Sequence, residues 1–292
     1  MSRLSIRHET LYTYDRPVGF APHRLLIRPR DSHSLRVVSA ELAFAPEGST
    51  LWTFDAVGNS ICHLTLAAQA DRLEIVSQLV IERHPAPLEG MDHGPEASAA
   101  PVAYCTSDRI LLQPYAAPVT EDPQGLVLDW TRAQLGAPDE PALGFLLRMT
   151  RRIHADFRYE ARQEEGVQDP AQTIQGMSGT CRDFAWLMVE TLRRVGYAAR
   201  FVTGYLYSPR LNAVRGAGAT HAWCQVFLPG LGWTEFDPTN GLAESADLIP
   251  VAVARTPMEA SPVSGAIIGG PARSELSVRV EVRPADDLET AA

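Results

Sequence analysis

The chain has 292 residues, more than one domain usually contains, and this length favours two domains. Hydrophobic residues make up 45% and charged residues 21%, an ordinary globular composition that excludes disordered, collagen-like and coiled-coil chains. The formal net charge is -9, and the basic side chains are arginines dispersed along the chain, so no basic patch marks a nucleic-acid surface. We therefore expect a folded protein that does not bind nucleic acid.

The sequence pattern carries no signal for a membrane, a metal or a disulfide framework. Its N-terminal stretch lacks the apolar run of a secretory signal, and no apolar run approaches the roughly 20 residues of a membrane span. We therefore expect a cytoplasmic protein that does not contact the membrane. The cysteines form no C-x-x-C pair, so we expect reduced thiols, no metal site and no cofactor. The four cysteines are Cys62, Cys105, Cys181 and Cys224.

Short runs rich in β-branched and aromatic residues follow one another between residues 4 and 82. In the run over 38–44 every second residue is apolar, which is typical of a half-buried strand. Turn signals containing proline, glycine or asparagine separate the runs. Strands of this length and spacing predict an N-terminal antiparallel β-sandwich domain over residues 1–85.

Proline and small residues dominate the next stretch, and they show no hydrophobic period. We interpret residues 86–104 as a linker. Beyond it, apolar residues at three- and four-residue steps predict one helix that begins at Pro141 and another that begins near Cys181. Residues 105–292 are therefore predicted to form an α+β domain in which helices precede an antiparallel sheet. The predicted strands of this part lie at 200–207, 221–228, 232–238 and 276–284.

Cys181 lies where a glycine-containing loop runs directly into the second predicted helix. Unpaired backbone N–H groups and the positive end of the helix dipole favour a thiolate there. The same N–H groups can stabilise the oxyanion that forms when a thiolate attacks a carbonyl. A cysteine considered alone is more often a buried hydrophobic residue, so its assignment as a nucleophile depends on a nearby base.

A base and a carboxylate are available in the predicted hairpin that follows. His221 begins the first strand and Asp237 ends the second, at equal distances from a turn near Pro229. Imidazole transfers protons near neutral pH, and a carboxylate can fix its tautomer. Considered alone, His221 would be a structural histidine and Asp237 a turn residue. Together with Cys181 they predict a nucleophile, a base and an orienting carboxylate.

Several motifs surround these three residues and together resemble a known family, the bacterial transglutaminase-like proteins, which are often described as candidate cysteine proteases. The match extends over about residues 140–245, and the N-terminal region resembles the β-domain that precedes the catalytic domain in many such proteins. The motifs are G-x-C (Gly179 to Cys181), G-Y-A-A-R-F-V-T-G-Y (Gly196 to Tyr205), H-A-W (His221 to Trp223), G-W-x-x-F-D-P-T (Gly232 to Thr239) and, more weakly, Y-x-Y-D-R-P-V (Tyr12 to Val18) and D-x-x-G-N (Asp55 to Asn59).

The resemblance implies a papain-like or transglutaminase-like catalytic domain. It also implies that Cys181 is the nucleophile, His221 the base and Asp237 the orienting residue. One departure from the family pattern is Cys224, where a small residue is expected after H-A-W. Cys224 thus raises the question of a second thiol near the site.

Three further residues are candidates for substrate binding. Gln175 precedes Cys181 by the six residues seen in papain-like proteases, so its amide is a candidate oxyanion donor. Trp223 and Trp233 are candidates for lining an acyl pocket. Each has a plainer interpretation, because polar loop residues are common and aromatic side chains in a hairpin usually serve packing.

The predicted reaction is acyl transfer through a thioester between Cys181 and a glutamine side chain, an amide or a peptide bond. An amine acceptor would make the protein a transglutaminase, and water would make it a protease or amidase. The partner is therefore a peptide, protein or amide substrate, and the sequence leaves the acceptor and the oligomeric state open. The alternatives are a non-catalytic peptide-binding module that uses the same cleft and a scaffold role for the β-domain.

Overall fold

The computed structural model describes residues 2–84, 102–136, 140–160, 166–207, 215 and 218–285. It confirms the predicted α+β class, with an N-terminal antiparallel β-sandwich and a second part in which helices cover an antiparallel sheet. The N-terminal strands are β1 (Ser2–Phe20), β2 (His23–Leu25), β3 (Leu35–Ala45), β4 (Gly48–Phe54), β5 (Ser60–Leu66) and β6 (Ala70–Arg83).

The helices all follow the N-terminal strands. They are α1 (Thr106–Ala116), α2 (Leu126–Arg132), α3 (Ala142–Asp156), α4 (Pro170–Gly176) and α5 (Cys181–Arg194). The later strands are β7 (Arg158–Tyr159), β8 (Ser178–Gly179), β9 (Ala199–Leu206), β10 (His221–Leu228), β11 (Gly232–Asp237), β12 (Leu242–Ala243), β13 (Leu248–Ala254), β14 (Val263–Ser264), β15 (Ile267–Ile268) and β16 (Ser274–Pro284).

Two sheets form the sandwich. One has the order β15-β1-β6-β3, with β16 also paired to β1, and the other has the order β14-β2-β5-β4. Successive side chains of a strand point to opposite faces, so alternate apolar residues of β5 and β6 meet between the sheets. Cys62 and Leu64 of β5 and Leu73 and Ile75 of β6 are buried in this core.

The C-terminal end of the chain returns to the sandwich, which corrects the predicted domain over residues 105–292. β14 pairs with β2, β15 pairs with β1, and β16 pairs with β1 along eleven residues from Leu4↔Pro284 to Tyr14↔Ser274. The physical reason is the length of β1, whose second edge would otherwise leave its backbone N–H and C=O groups unpaired. Most of the predicted linker, residues 86–101, lies outside the described residues.

The second part is built on a sheet of order β12-β11-β10-β9-β13 in which all neighbouring strands are antiparallel. Helix α5 packs against β10 and β9. Twelve of its 14 residues are buried, so it is a central helix rather than a helix with one buried face. Its buried charges Glu190 and Arg193 are paired at 3.1 Å. The first residue of this rigid helix is Cys181.

The sandwich and the five-stranded sheet of the second part share a buried contact. Leu4 and Ile6 of β1 pack with Ile249 and Val251 of β13 in one apolar cluster. The Asn59 side chain adds two hydrogen bonds to this contact. Its NH2 group donates to the Val253 carbonyl at 2.7 Å, and its carbonyl oxygen accepts from the Val253 N–H at 2.9 Å. The sandwich therefore supports the edge of the sheet that carries β9 and β13.

Tyr205 lies at the centre of this contact. Its hydroxyl donates a hydrogen bond to the Ile27 carbonyl at 3.0 Å and accepts one from His8 Nδ1 at 3.1 Å. The other ring nitrogen of His8 then accepts from the Thr10 hydroxyl, also at 3.1 Å. Burial lowers the pKa of His8 to about 4, so the ring is neutral and can act as donor and acceptor at once.

Within the described residues, no helix has both the length and the apolar character needed to cross a membrane.

We expect the Tyr205→Phe variant to lose about 1–3 kcal/mol of unfolding free energy, because the buried Ile27 carbonyl and His8 ring lose their partner. Tyr197→Phe is the matched control, since the buried Tyr197 hydroxyl has no hydrogen-bond partner among the described residues. Urea unfolding of both variants tests this difference. Equal stability of the two variants would show that the Tyr205 network does not join the sandwich to the sheet.

Candidate active site

Cys181 is the first residue of α5, and the preceding residue caps the helix. The Thr180 hydroxyl faces the Asp183 N–H, and the Asp183 carboxylate accepts from the Thr180 N–H at 2.8 Å and from the Thr180 hydroxyl at 2.9 Å. This capping box fixes the direction in which the chain enters the helix. Cys181 has an exposed fraction of 7%, and its thiol lies at the end where helix N–H groups are unpaired.

The loop before Cys181 is held to the helix as well. The Asp183 carboxylate also accepts from the Gln168 N–H at 2.7 Å. A Cβ on Gly179 would lie 2.8 Å from the Asp183 Cβ and 3.3 Å from the Phe184 ring, so only glycine permits this close approach. Asp183 therefore positions two segments around the thiol.

His221 and Asp237 meet at the ends of two paired strands. β10 and β11 are antiparallel, with register pairs that run from Leu228↔Gly232 to Cys224↔Phe236. His221 begins β10 and Asp237 ends β11, so both lie at the open end of the hairpin. The His221 Nε2 lies 2.9 Å from the Asp237 Oδ2, and both side chains are fully buried. The predicted hydrogen bond between these two residues is present.

Asp237 is kept ionised by several donors. Its carboxylate accepts from the Thr239 N–H at 2.8 Å, the Asn240 N–H at 3.3 Å and the Asn240 side-chain amide at 2.9 Å. Burial alone would raise the pKa of Asp237, but the charge of His221 and these hydrogen bonds outweigh it and lower the pKa. The carboxylate can therefore hold a positive ring beside it.

The second ring nitrogen of His221, Nδ1, is not bound by Asp237. Burial opposes protonation of the ring, but the charge and hydrogen bond of Asp237, with a further contribution from Cys181, raise the pKa of His221 to about 10. Nδ1 has no hydrogen bond of normal geometry among the described residues. This nitrogen is therefore available to exchange a proton with a nearby group, and Cys181 is among the groups that affect the pKa of the ring.

Asn240 is a site residue that the sequence pattern did not single out. Besides Asp237, its side-chain carbonyl accepts from the Arg215 N–H at 2.9 Å. The Arg215 guanidinium donates to the His154 carbonyl at 3.1 Å, and His154 Nδ1 lies 2.8 Å from the Thr239 carbonyl. These contacts tie the turn after Asp237 to the end of α3. The sequence signal was present only as the Thr-Asn-Gly turn that follows Asp237.

Tyr159 is a second residue that sequence reasoning missed. It pairs with Gly179 in the short parallel ladder of β7 and β8, and its ring packs edge-on against Phe184. Burial, followed by electrostatic interactions with Cys181, Asp183 and Asp237, raises the pKa of Tyr159 to about 12. A neutral phenol hydroxyl therefore lies in the electrostatic field of the site.

The three predicted substrate-binding residues do not share one pocket. Gln175 is exposed on α4 and lines a cavity of about 360 Å³ whose lining does not include Cys181, His221 or Asp237, so its position gives no support for an oxyanion role. The prediction for Trp223 is corrected, because its indole is fully buried and has no surface to offer a substrate.

Trp233 packs in an aromatic cluster. The Arg200 guanidinium lies 3.9 Å above its ring, and the rings of Tyr115 and Phe227 approach it edge-on. These packing contacts account for the half-buried position of Trp233. Its contact with substrate stays a prediction.

The other three thiols differ from one another in exposure. Cys62 and Cys224 are buried, and burial raises the pKa of both, to about 11 for Cys62. Cys105 is exposed at the start of α1. In the part of the chain that the structure describes, no group of three or more His, Cys, Asp or Glu side chains could hold a metal ion.

Two family models match the chain. Residues 4–82 match the bacterial transglutaminase-like N-terminal region, and residues 130–238 match the transglutaminase-like superfamily. An uncharacterized protein of Mycobacterium tuberculosis is 27% identical over 298 residues, which cover 97% of this chain and 93% of the relative. An uncharacterized protein of Mycobacterium leprae is 24% identical over 287 residues, which cover 97% of this chain and 99% of the relative.

A solved structure shares the whole fold. The crystal structure of a candidate cysteine protease from Cytophaga hutchinsonii superposes with a TM-score of 0.75 at 20% sequence identity. The superposition covers 98% of this chain and 91% of the neighbour. The arrangement of a β-sandwich beside a helix-covered sheet is therefore shared, and at this identity the likeness concerns the fold alone.

We expect iodoacetamide at neutral pH to alkylate Cys181 faster than Cys105, although Cys105 is the more exposed thiol. The reason is that Cys181 has a helix N-terminus and the His221 ring beside it. Peptide mapping by mass spectrometry gives both alkylation rates in one sample. The His221→Ala variant should show slower alkylation of Cys181 and an unchanged rate for Cys105. Faster labelling of Cys105, or no effect of His221→Ala, would contradict the assignment of the nucleophile.

Proposed function

The chain belongs to the transglutaminase-like superfamily, with the N-terminal region of its bacterial members, and from this membership and the site geometry we propose a cysteine-dependent acyl-transfer enzyme. The substrate class is a glutamine side chain, an amide or a peptide bond. The observation that supports the proposal is the buried hydrogen bond between His221 and Asp237 at the open end of the β10–β11 hairpin, with Cys181 at the start of the helix α5 that packs against β10.

In the proposed first half-reaction the Cys181 sulfur, having given its proton to His221, attacks the acyl carbon. The electron pair of the carbonyl moves to its oxygen and a tetrahedral oxyanion forms. When this intermediate collapses, the bond to the leaving nitrogen breaks, and His221 returns its proton to that nitrogen. Ammonia or an amine departs, and the acyl group remains on sulfur as a thioester.

In the second half-reaction water or an amine attacks the thioester. His221 takes a proton from the attacking group, a second tetrahedral intermediate forms, and its collapse expels the sulfur. The product is an acid when water attacks and a new amide when an amine attacks. The sulfur and the protonated ring are then restored for the next cycle.

The oxyanion needs donors near the sulfur. The Cys181 N–H precedes the first hydrogen bond within the helix, from the Phe184 N–H to the Thr180 carbonyl, so it points out of the helix end. Such a group stabilises developing negative charge in a site that excludes water. Tyr159, which pairs with Gly179 two residues before Cys181, is a second candidate donor. These two groups replace Gln175 as our candidates for oxyanion stabilisation.

A non-catalytic peptide-binding role would use the same cleft, but a site kept only for binding has no need of a buried ion pair. Keeping two ionisable groups buried costs free energy unless they are paired and hydrogen-bonded, as His221 and Asp237 are. The geometry therefore favours catalysis.

The test incubates the full chain with a glutamine-rich protein substrate in the presence and absence of a primary amine with a fluorescent label. Amine incorporation identifies a transglutaminase, ammonia release without incorporation identifies an amidase, and new peptide termini identify a protease. Each activity should vanish in Cys181→Ala. Activity that persists in Cys181→Ala would show that another group performs the reaction.

We expect Asp237→Asn to reduce the rate by about 10²- to 10⁴-fold while the protein stays folded, because the ring loses its orientation and its stabilising charge. The raised pKa of His221 means that the ring holds its proton below that value and loses it above. Without the carboxylate charge, burial dominates and lowers this pKa, so the alkaline limb of the pH profile should move to lower pH.

The matched control for this substitution is Asp71→Asn, an exposed aspartate in the sandwich. It should leave both the rate and the pH profile unchanged. An Asp237→Asn enzyme with the wild-type alkaline limb would show that Asp237 does not set the protonation of His221.

A further inference from the structure

The ring of His221 rests against a buried indole. Trp223 lies two residues further along β10, on the same face of the strand. The two rings are stacked, with centroids 5.9 Å apart and planes inclined by 29°. Trp223 is fully buried and packs with Val202 and Leu248 on this face of the sheet. The indole thus limits the orientations that the imidazole can adopt.

The indole is held in turn by a carboxylate of the neighbouring strand. The Trp223 Nε1 donates to the Glu235 Oε1 at 3.2 Å. The Gln225 side-chain amide donates to the same oxygen at 3.0 Å, and Gln225 lies directly opposite Glu235 in the strand register. Both donors are buried, so each needs this acceptor in the folded protein.

Glu235 and Asp237 occupy the same face of β11, two residues apart. Asp237 binds the ring of His221, and Glu235 binds the ring of Trp223, along the same diagonal between β10 and β11. Two stacked rings on one strand are therefore fixed by two carboxylates on the next. The first pair belongs to the proposed triad, and the second pair lies directly behind it.

We infer that Glu235 is a positioning residue, which holds Trp223 against His221 so that the imidazole keeps one nitrogen on Asp237 and presents the other to Cys181. This inference rests on the proposed function and adds a residue to its machinery. Glu235 does not touch the reacting atoms. Its effect on the reaction passes through the indole to the ring that carries the proton.

The surroundings of Glu235 indicate which substitution it tolerates. Burial and the charge of Glu244 raise the pKa of Glu235 to about 7, while Gln225, Trp223 and Arg83 act in the opposite direction. A neutral side chain with an acceptor oxygen is therefore compatible with this position near neutral pH. Glutamine retains that oxygen, whereas leucine has a similar size and no acceptor.

The experiment compares Glu235→Leu with Glu235→Gln in the full chain. The readouts are the rate at which iodoacetamide alkylates Cys181 as a function of pH, and the titration of His221 by NMR of its ring. In Glu235→Leu we expect the alkylation rate at pH 7 to fall by about 10-fold or more, because a ring displaced by even an ångström loses its alignment. His221 should lose its proton at a lower pH than in the wild-type protein. The Glu235→Gln variant should restore both the alkylation rate and the titration of His221.

A merely structural role would lower the melting temperature of Glu235→Leu and leave the pH dependence of the folded protein unchanged. Thr234→Val is the control for disturbance of β11, because Thr234 is the neighbouring buried side chain and points to the other face of the strand. It should keep the wild-type alkylation profile. A folded Glu235→Leu variant with the wild-type profile would overturn the inference.

If the Glu235→Leu variant does not fold, the Trp223→Phe variant tests the positioning role of Glu235 instead. Phenylalanine keeps an aromatic ring beside His221 but has no N–H for Glu235, so the alkylation profile should shift in the same direction as expected for Glu235→Leu. A wild-type profile in folded Trp223→Phe would overturn the inference on its own.

Failure of the proposed function has a different signature. It would appear in the wild-type protein itself, as alkylation of Cys181 no faster than in His221→Ala. Failure of the positioning role alone leaves that difference intact.

Discussion

The hydrogen bond of 2.9 Å between the His221 ring and the Asp237 carboxylate, buried at the end of the β10–β11 hairpin, determines the chemistry of the site. A buried ring would by itself remain neutral, and a buried carboxylate would by itself take up a proton. Each group instead keeps the other charged, and Thr239 and Asn240 donate further hydrogen bonds to the Asp237 carboxylate. In the proposed reaction the free nitrogen of the ring exchanges a proton with Cys181, which the capped start of α5 holds in place.

The rest of the fold maintains this small arrangement in a fixed position. Strand β10 must keep its register with β11, and β9 must keep its register with both β10 and β13. The sandwich supports the outer edge of that sheet through Tyr205 and Asn59, and the returning β16 completes the sandwich. The N-terminal region therefore supports the sheet that carries the candidate site, which is a physical reason for the two regions to occur together in one chain.

The positions of Cys181 at the start of a helix and of His221 and Asp237 at the ends of two paired strands could be predicted from the sequence, because a loop-to-helix junction and a hairpin are local patterns. The helix over Cys181–Arg194 and the strands that carry His221 and Asp237 begin where the pattern placed them. Asn240, Tyr159 and Glu235 were missed, because their roles depend on which side chains meet across strands. The prediction that Trp223 lines an acyl pocket was corrected. The alternation of residues along a strand shows that the strand has two faces, but it does not show which face is covered by other elements. The return of β16 to β1 was missed since pairing between distant segments leaves no local signal.

In the proposed reaction the sulfur of Cys181 carries an acyl group, and an activated ester tests this without knowledge of the natural substrate. The protein is mixed with p-nitrophenyl acetate, quenched in acid at short times and analysed by intact-protein and peptide mass spectrometry. The proposal predicts one acetyl group on Cys181, formed together with nitrophenolate, removed by water or an added amine, and absent in His221→Ala. Acetylation confined to other residues, or acetylation of Cys181 at the same rate in His221→Ala, would contradict it.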